Sequence, residues 1–278
     1  MENNEGNPFT LLDAYAPAEI ARRVESAGVT KAGLGIVPTL ALGVLAGAFI
    51  AFGSLFYLVA ITDSGLGYGL ERVVGGICFS LGLVLVVVAG AELFTGNNLI
   101  VIAWADRKIT SGRLLRNWGL VFVANFVGAV ATVVIVDLSG VMDGHGGALG
   151  DSAVRVAAAK TSLPFVEAFF RGLLCNALVC LAVWLAMAAH SVSGKILAIV
   201  FPISAFVAAG FEHSVANMFL VPLGMLVAPD PASMGLTVAG LAANLVPVTL
   251  GNIVGGSVFV ALVYYVVYIH RARGSDGP

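Results

Sequence analysis

The sequence predicts an all-α membrane protein with six transmembrane helices in two inverted three-helix repeats, the second and fifth helices being broken. Hydrophobic residues make up 59% of the 278 residues and charged residues only 11%, and the mean hydropathy is +0.99. A soluble domain carries about 25% charged residues. In addition, two long apolar segments are interrupted by polar stretches that resemble each other. Together these observations place the chain in a lipid bilayer.

Six apolar segments are long enough to cross a bilayer, which needs about 20 residues per helix. They lie at 33–62, 73–105, 114–137, 164–189, 195–227 and 243–269. The second and fifth contain AGAELFTGNN (89–98) and AGFEHSVANM (209–218). Non-helical backbone at membrane depth is tolerated only where protein buries it or where it lines a watery cavity. We therefore expect a break at each stretch, the alternative being a long helix kinked at Pro202.

The two interruptions share four residue identities and are followed by a second matching pair. The matches are Ala89 with Ala209, Gly90 with Gly210, Glu92 with Glu212, Asn97 with Asn217, and Asn125 with Asn252. A three-span unit repeated in one chain enters the membrane from the opposite side the second time. The sequence therefore predicts repeats at 33–140 and 160–270, related by an axis in the membrane plane, in an aquaporin-like architecture.

Basic residues predict the orientation of this single transmembrane domain (1–278). They concentrate in the N-terminal segment, in the loops after the second and fourth spans and in the C-terminal tail, whereas the other three loops are acidic. By the positive-inside rule, both termini lie in the cytoplasm. Residues 1–32 then form a cytoplasmic segment with a short amphipathic helix at 9–27, and 271–278 form a cytoplasmic tail.

The broken helices predict an anion site at the membrane centre. Half-helices beginning near Gly96 and Ser214 would each present free N–H groups and a partial charge of about +0.5. We expect Thr95 and Ser214 to cap them, and Asn97 and Asn217 to support the loops.

His213 is the one histidine in the middle of a span, where a titratable group indicates function. Its imidazole can attract an anion or pass it a proton. Glu92 and Glu212 suit a structural role as acceptors of N–H groups better than a proton relay. The residues Phe79, Phe94, Phe206 and Phe211 flank the interruptions, and their spacing fits core packing and an apolar constriction equally well.

Other function classes find little support in the sequence. The three cysteines lie in apolar runs without metal-ligand spacing, and His213 has no second histidine at ligand distance in the sequence. We therefore expect no metal, no cofactor and no enzymatic activity. No basic patch indicates a nucleic-acid partner. A neutral-solute channel of the aquaporin type is disfavoured because the paired NPA loops and the filter arginine are missing.

Six segments resemble signatures of the formate/nitrite transporter family, in family order. They are VGGICFSLGL (74–83), AELFTGN (91–97), RNWGLVFVANFVGA (116–129), VCLAVW (179–184), GFEHSVANMF (210–219) and LVPVTLGNIVGG (245–256). The resemblance is closest to the formate channel branch. It implies a homopentamer in the bacterial inner membrane, with one pore in each protomer.

The resemblance also assigns roles to individual residues. His213 and Thr95 fall at the pore centre. Constrictions fall on Phe79 with Leu83 at the periplasmic side, and on Phe206 with Val179 at the cytoplasmic side. The remaining positions correspond to a gating loop, two pore-lining asparagines and a periplasmic vestibule lysine: Leu93, Phe94 and Thr95; Asn176 and Asn252; and Lys160.

The function expected from the resemblance is a pH-dependent channel or transporter for small monovalent anions of weak acids, formate first, with His213 assisting protonation of the substrate. Gly96 and Asn97 follow Thr95 where formate channels typically have small hydroxyl residues. Nitrite and hydrosulfide are therefore the alternatives within the same family, and lactate is a further candidate solute.

Overall fold

A computed structural model describes residues 14–270, and this part of the chain is helical with no β-strand. Within these residues, six helices are long and apolar enough to cross a bilayer, as predicted. The helices are α1 Pro17–Gly33, α2 Ile36–Ile61, α3 Tyr68–Leu85, α4 Val101–Ala105, α5 Ser111–Leu138, α6 Ala148–Thr161, α7 Phe165–Ala188, α8 Val192–Ala209, α9 Ser214–Val227, α10 Val238–Val254 and α11 Val263–Tyr265. Short π-helical or 3₁₀ segments adjoin several of them: Val86–Gly90, Gly96–Ile100, Val141–Gly147, Gly255–Leu262 and Val266–His270.

The second and fifth spans are interrupted where the sequence predicts. We call residues 91–95 the first break and residues 210–213 the second break. The chain enters each through a glycine in the left-handed region, Gly90 with φ +83° and Gly210 with φ +75°. Glycine has no Cβ and adopts this conformation at little cost. Helical structure resumes at Gly96 and at Ser214, the residues expected from the sequence.

Glycines let the unbroken spans pack backbone against backbone. A Cβ on Gly47 of α2 would lie 2.1 Å from the carbonyl oxygen of Asn125, and one on Gly128 of α5 would lie 2.0 Å from that of Val44. Such contacts allow close approach of helices within a membrane.

The same arrangement joins α7 and α10 in the second half of the chain. A Cβ on Gly251 would lie 2.1 Å from the carbonyl oxygen of Phe169, and one on Gly255 equally close to that of Leu173. Each half therefore holds its two unbroken spans together in the same way.

Two helices outside the spans differ from expectation. Among the described residues, the N-terminal helix covers Pro17–Gly33 and so continues past the predicted end at 27. Residues 1–13, which include the predicted start of this helix, and the tail at 271–278 lie outside the described residues. The connection after the third span contains α6, which the sequence analysis treated as a loop. The helix α1 packs on α4 and its preceding turn, whereas α6 packs on α9. Each resumed half-helix thus has a short helix against it.

Candidate functional site

The two breaks meet at a hydrogen bond between Thr95 and His213. Thr95 Oγ1 lies 2.9 Å from His213 Nε2, across 118 positions of sequence. Thr95 is fully buried and His213 is 3% exposed. Burying polar groups is costly unless they are paired, so this bond fixes the two breaks against each other.

The other ring nitrogen of His213 identifies the tautomer. Nδ1 accepts a hydrogen bond from the backbone N–H of Ala216 at 3.1 Å, so His213 is the N-cap of α9. A nitrogen that accepts carries no proton, and in the neutral ring the proton is therefore on Nε2. Nε2–H then donates to Thr95 Oγ1, so the threonine oxygen accepts in this bond and its hydroxyl proton is directed elsewhere.

The predicted caps are wrong in detail. Thr95 has helical φ and ψ and its side chain caps no N–H group, because its hydroxyl is bonded to the imidazole. Ser214 is the first residue of α9 rather than its cap. The cap role belongs to His213 in the second half.

A buried asparagine supports each break from a neighbouring span. Asn125 Oδ1 accepts from the N–H of Phe94 at 2.9 Å, and its Nδ2 donates to the carbonyls of Gly43 and Glu92 at 2.8 and 2.9 Å. Such a side chain replaces the backbone partners that a continuous helix would supply.

Asn252 repeats this pattern at the second break. Its Oδ1 accepts from Ser214 N–H at 2.9 Å, and its Nδ2 donates to the carbonyls of Gly172 and Glu212 at 2.7 and 3.0 Å. Asn176 likewise donates to backbone, at the carbonyls of Thr95 and Asn252. Both asparagines are fully buried and line neither cavity described below. Their amides therefore hold the backbone at the centre, and their pore-lining role stays a prediction.

A lysine, a glutamate and two asparagines form a chain of hydrogen bonds beside the first half-helix. Lys31 Nζ donates to Glu92 Oε1 at 2.7 Å, and Asn97 Nδ2 donates to Glu92 Oε2 at 2.7 Å. Asn97 also donates to Asn117, whose Nδ2 returns to the backbone carbonyl of Lys31.

The second half contains the same chain. Lys160 Nζ lies 3.0 and 3.1 Å from the two carboxylate oxygens of Glu212, and Asn217 Nδ2 donates to Glu212 at 2.6 Å. Asn217 also donates to Asn244, whose Nδ2 returns to the carbonyl of Lys160. Glu92 and Glu212 are thus acceptors, bonded to an ammonium group and an amide in each half.

Two cavities approach the centre, and each takes its name here from its lysine. The Lys160-side cavity, about 170 Å³, is lined by Lys160, Arg72, Arg171, Glu212 and His213 among others. Its formal charge from these side chains is 3 − 1 = +2, with His213 neutral. The Lys31-side cavity, about 360 Å³, contains Lys31 and Glu92, which gives 1 − 1 = 0. The electrostatic attraction for anions is therefore stronger on the Lys160 side.

The two phenylalanines of the predicted constrictions, Phe79 and Phe206, lie on the same side of the Thr95–His213 pair. The rings of Phe79 and Phe206 are 5.6 Å apart and edge to face, and both line the Lys160-side cavity. The expectation that Phe206 narrows the opposite side is wrong, because α8 crosses α3 and brings the two rings together. The Lys31-side cavity is instead bounded by Leu83 and Leu93.

The remaining predicted residues are buried near the centre. Val179 is 1% exposed in the main apolar cluster and lines neither cavity. Phe94 packs edge to face on Trp118 and Phe122, with ring centroids 6.3 and 5.0 Å away. Of the predicted gating loop, Leu93 alone faces the Lys31-side cavity.

Sequence reasoning missed several residues of this site. Lys31, Arg72 and Arg171 line the cavities, and Asn117 and Asn244 close the hydrogen-bond chains. One signal was available: Asn117 precedes Asn125 by the same eight positions that separate Asn244 from Asn252. Within residues 14–270, no three His, Cys, Asp or Glu side chains lie together as ligands for one metal ion.

Six apolar spans, with two polar breaks meeting between two cavities, define an integral membrane protein of the class to which channels and carriers belong. The sequence profile described as "Formate/nitrite transporter" matches residues 18–266. The chain therefore belongs to the formate/nitrite transporter family.

Individual relatives agree with this assignment. The chain is 42% identical to the protein named formate channel FocA of Escherichia coli (strain K12), over 95% of this chain and 97% of that one. A solved structure titled "Pentameric formate channel with formate bound" is 39% identical, with a TM-score of 0.78 over 84% of this chain and 98% of the other. Another, titled "FNT family ion channel", has a TM-score of 0.81 at 31% identity, over 89% and 98%.

Proposed function

We propose that the protein carries small monovalent anions of weak acids, formate first, across the bacterial cytoplasmic membrane. The observation that carries this proposal is the buried Thr95–His213 bond, which lies where the two breaks meet. Membership of the formate/nitrite transporter family and the names of the relatives support the choice of solute.

The solute pathway follows from the charges and the apolar residues. An anion enters the Lys160-side cavity, where Lys160, Arg72 and Arg171 attract it. It passes between Phe79 and Phe206, which remove its water. Leu83 and Leu93 form the narrowing on the Lys31 side, and movement of residues 93–95 gates it.

Protonation makes the central step inexpensive. Burying a bare anion in an apolar slit costs far more than burying the neutral acid. To act as a proton donor the ring must carry a second proton on Nδ1, and it then gives up its bond to Ala216 N–H. The proton on Nε2 moves to the Thr95 oxygen as the threonine hydroxyl proton moves to a carboxylate oxygen, so formic acid crosses and the neutral ring keeps its proton on Nδ1. Proton exchange with water of the Lys160-side cavity, with loss of the Nδ1 proton and uptake of one at Nε2, then restores the bond to Ala216 N–H.

The assembly we propose is a homopentamer of inverted repeats with an aquaporin-like fold and both termini in the cytoplasm. The lysine–glutamate–asparagine chains and the asparagine supports, which recur with equivalent partners in both halves, favour the repeats. The pentameric relative supports the assembly. The Lys160-side cavity is then periplasmic and the Lys31-side cavity cytoplasmic.

Formate uptake into proteoliposomes between pH 5 and 8 tests the role of His213. His213→Asn keeps an acceptor for the Ala216 N–H, since asparagine is a good N-cap, but it cannot titrate. We expect formate flux at low pH to fall by about 100-fold, within the range that acid–base groups contribute, and to lose its pH dependence.

His213→Phe loses both the N-cap of α9 and the titratable group. A comparison of its melting temperature with that of His213→Asn separates the effect on folding from the effect on proton transfer. A His213→Asn protein with wild-type flux and pH response removes the imidazole from the mechanism. Competition by nitrite and by hydrosulfide against labelled formate identifies the preferred solute, and uptake of nitrite without formate selects the alternative member of the family.

A further inference from the structure

An arginine from another helix binds the end of α8 at the second break. Arg72 of α3 donates from Nε to the carbonyl of Ala208 at 3.2 Å and from Nη2 to that of Val207 at 3.1 Å. The last four carbonyls of a helix lack their usual partners, and a cation there also complements the helix dipole. The planar guanidinium thus fixes where α8 ends.

The guanidinium lies directly on the break. A Cβ built on Gly210 would lie 2.8 Å from Arg72 Nη2. At the first break, a Cβ built on Gly90 would meet open space among the described residues. In the described part of the chain, the two breaks share their asparagine supports but differ in this arginine.

Arg72 also belongs to the helix that carries Phe79. The two helices cross in backbone contact, since a Cβ on Gly76 of α3 would lie 2.7 Å from the Cα of Ser204 in α8. On α8, Phe206 immediately precedes the carbonyls that Arg72 holds. A change at the arginine therefore shifts the end of α8 about this crossing, and Phe206 moves relative to Phe79.

We propose that Arg72 is a positioning residue that sets the width of the narrowing between Phe79 and Phe206 and so favours formate over larger anions. This inference rests on the proposed transport function. An apolar slit selects by size only if its walls keep their separation, and the two hydrogen bonds to the α8 carbonyls supply that rigidity.

Arg171 provides a matched control for the charge of Arg72. Both side chains line the Lys160-side cavity. The Arg171 guanidinium is paired with Glu167 at 3.1 Å, one turn away on the same helix, and holds no carbonyl of α8. Its removal lowers the positive charge of the cavity and leaves the end of α8 intact.

The experiment compares the permeability of proteoliposomes to formate and to acetate for the wild type, Arg72→Lys and Arg171→Gln. Lysine keeps the charge but loses the two-pronged contact. We expect the formate-to-acetate ratio of Arg72→Lys to fall by about fivefold, as for the loss of one hydrogen bond, with its ionic-strength dependence unchanged. Arg171→Gln should keep the wild-type ratio but pass less formate at low ionic strength.

A folded Arg72→Lys protein with the wild-type ratio overturns the inference, and so does an equal loss of selectivity in Arg171→Gln. If Arg72→Lys does not fold, Arg72→Gln also removes the two-pronged contact, with Arg171→Gln as its control for the lost charge, and the same fall in ratio is expected. If the wild type passes nitrite but no formate, the proposed solute is wrong, and the nitrite-to-acetate ratio tests Arg72. A protein that passes none of these anions overturns both proposals.

Discussion

Ionisable side chains outside the spans tie the N-terminal helix to the first half-helix. Glu25 of α1 is 3% exposed and bonds Lys108, which also approaches Asp106 at the end of α4. Burial raises the pKa of the Glu25 carboxyl above its ordinary value. The neighbouring Asp106 acts in the same direction, and Lys108 opposes it. The ionised form of Glu25 therefore costs folding free energy.

Replacement of Glu25 should change how stability depends on pH. Because the pKa of Glu25 is higher in the folded state, the folded state binds more protons than the unfolded chain. The contribution of Glu25 to the free energy of unfolding therefore falls as pH rises from about 4.5 through the raised pKa. Glu25→Gln removes this loss, so its melting temperature relative to wild type should increase across that interval. Glu19→Gln, an exposed position on the same helix, is the control. Parallel curves for Glu25→Gln and wild type would contradict the prediction.

At the scale of elements, each break is stable because one asparagine replaces the backbone partners that its residues lack. Asn125 and Asn252 both use the carbonyl oxygen as acceptor and the amide as a double donor. An isosteric aspartate keeps the acceptor and loses both donors. It also places a charge beside two carbonyl oxygens in a buried site, which is costly without a partner.

Asn252→Asp should therefore lower the free energy of unfolding by about 2–4 kcal/mol, and Asn125→Asp by a similar amount. Thermal unfolding of the purified protein measures both. A large fall in the free energy of unfolding for one variant and none for the other would contradict this prediction, because the two breaks would then not depend equally on their asparagines.

The sequence predicts the elements better than their contacts. Both breaks follow from Glu and Asn side chains that interrupt apolar runs, because lipid excludes such groups. Lys31 and Glu92 lie 61 positions apart, and only the docking of α1 brings them together. Phe206 was placed on the wrong side because its position depends on how α8 crosses α3. The sequence predicts a loop at α6 because this helix has only 14 residues, too few to cross a bilayer, and carries Asp151, Arg155 and Lys160.

At the scale of the whole molecule, the two halves interlock rather than lie side by side. The helix α3 packs on α8, and α5 packs on α9. The centre is therefore made by both halves: Thr95 comes from one and His213 from the other. A half-chain alone would expose these faces and lack one member of the central pair.

The turn between α5 and α6 offers a place to cut the chain without touching this centre. Residues 143–146 are exposed, and Gly140, His145, Gly146 and Gly147 adopt positive φ there. Fragments 1–145 and 146–278 each retain one complete lysine–glutamate–asparagine chain. Expressed together, they should assemble and restore formate uptake, whereas either fragment alone should give none. Uptake by a single fragment would contradict the shared centre.

The pairing of Thr95 with His213 has an evolutionary consequence. Each half keeps its own scaffold of asparagines, glutamate and lysine, but the Thr95 hydroxyl and the His213 imidazole occupy non-equivalent positions. Val215 stands where a second threonine would be, and Leu93 stands where a second histidine would be. Two identical ancestral subunits would have carried the scaffold twice and could not have differed at these positions. Gene fusion would have freed the two copies to diverge, so that one carries the imidazole and the other its hydroxyl partner.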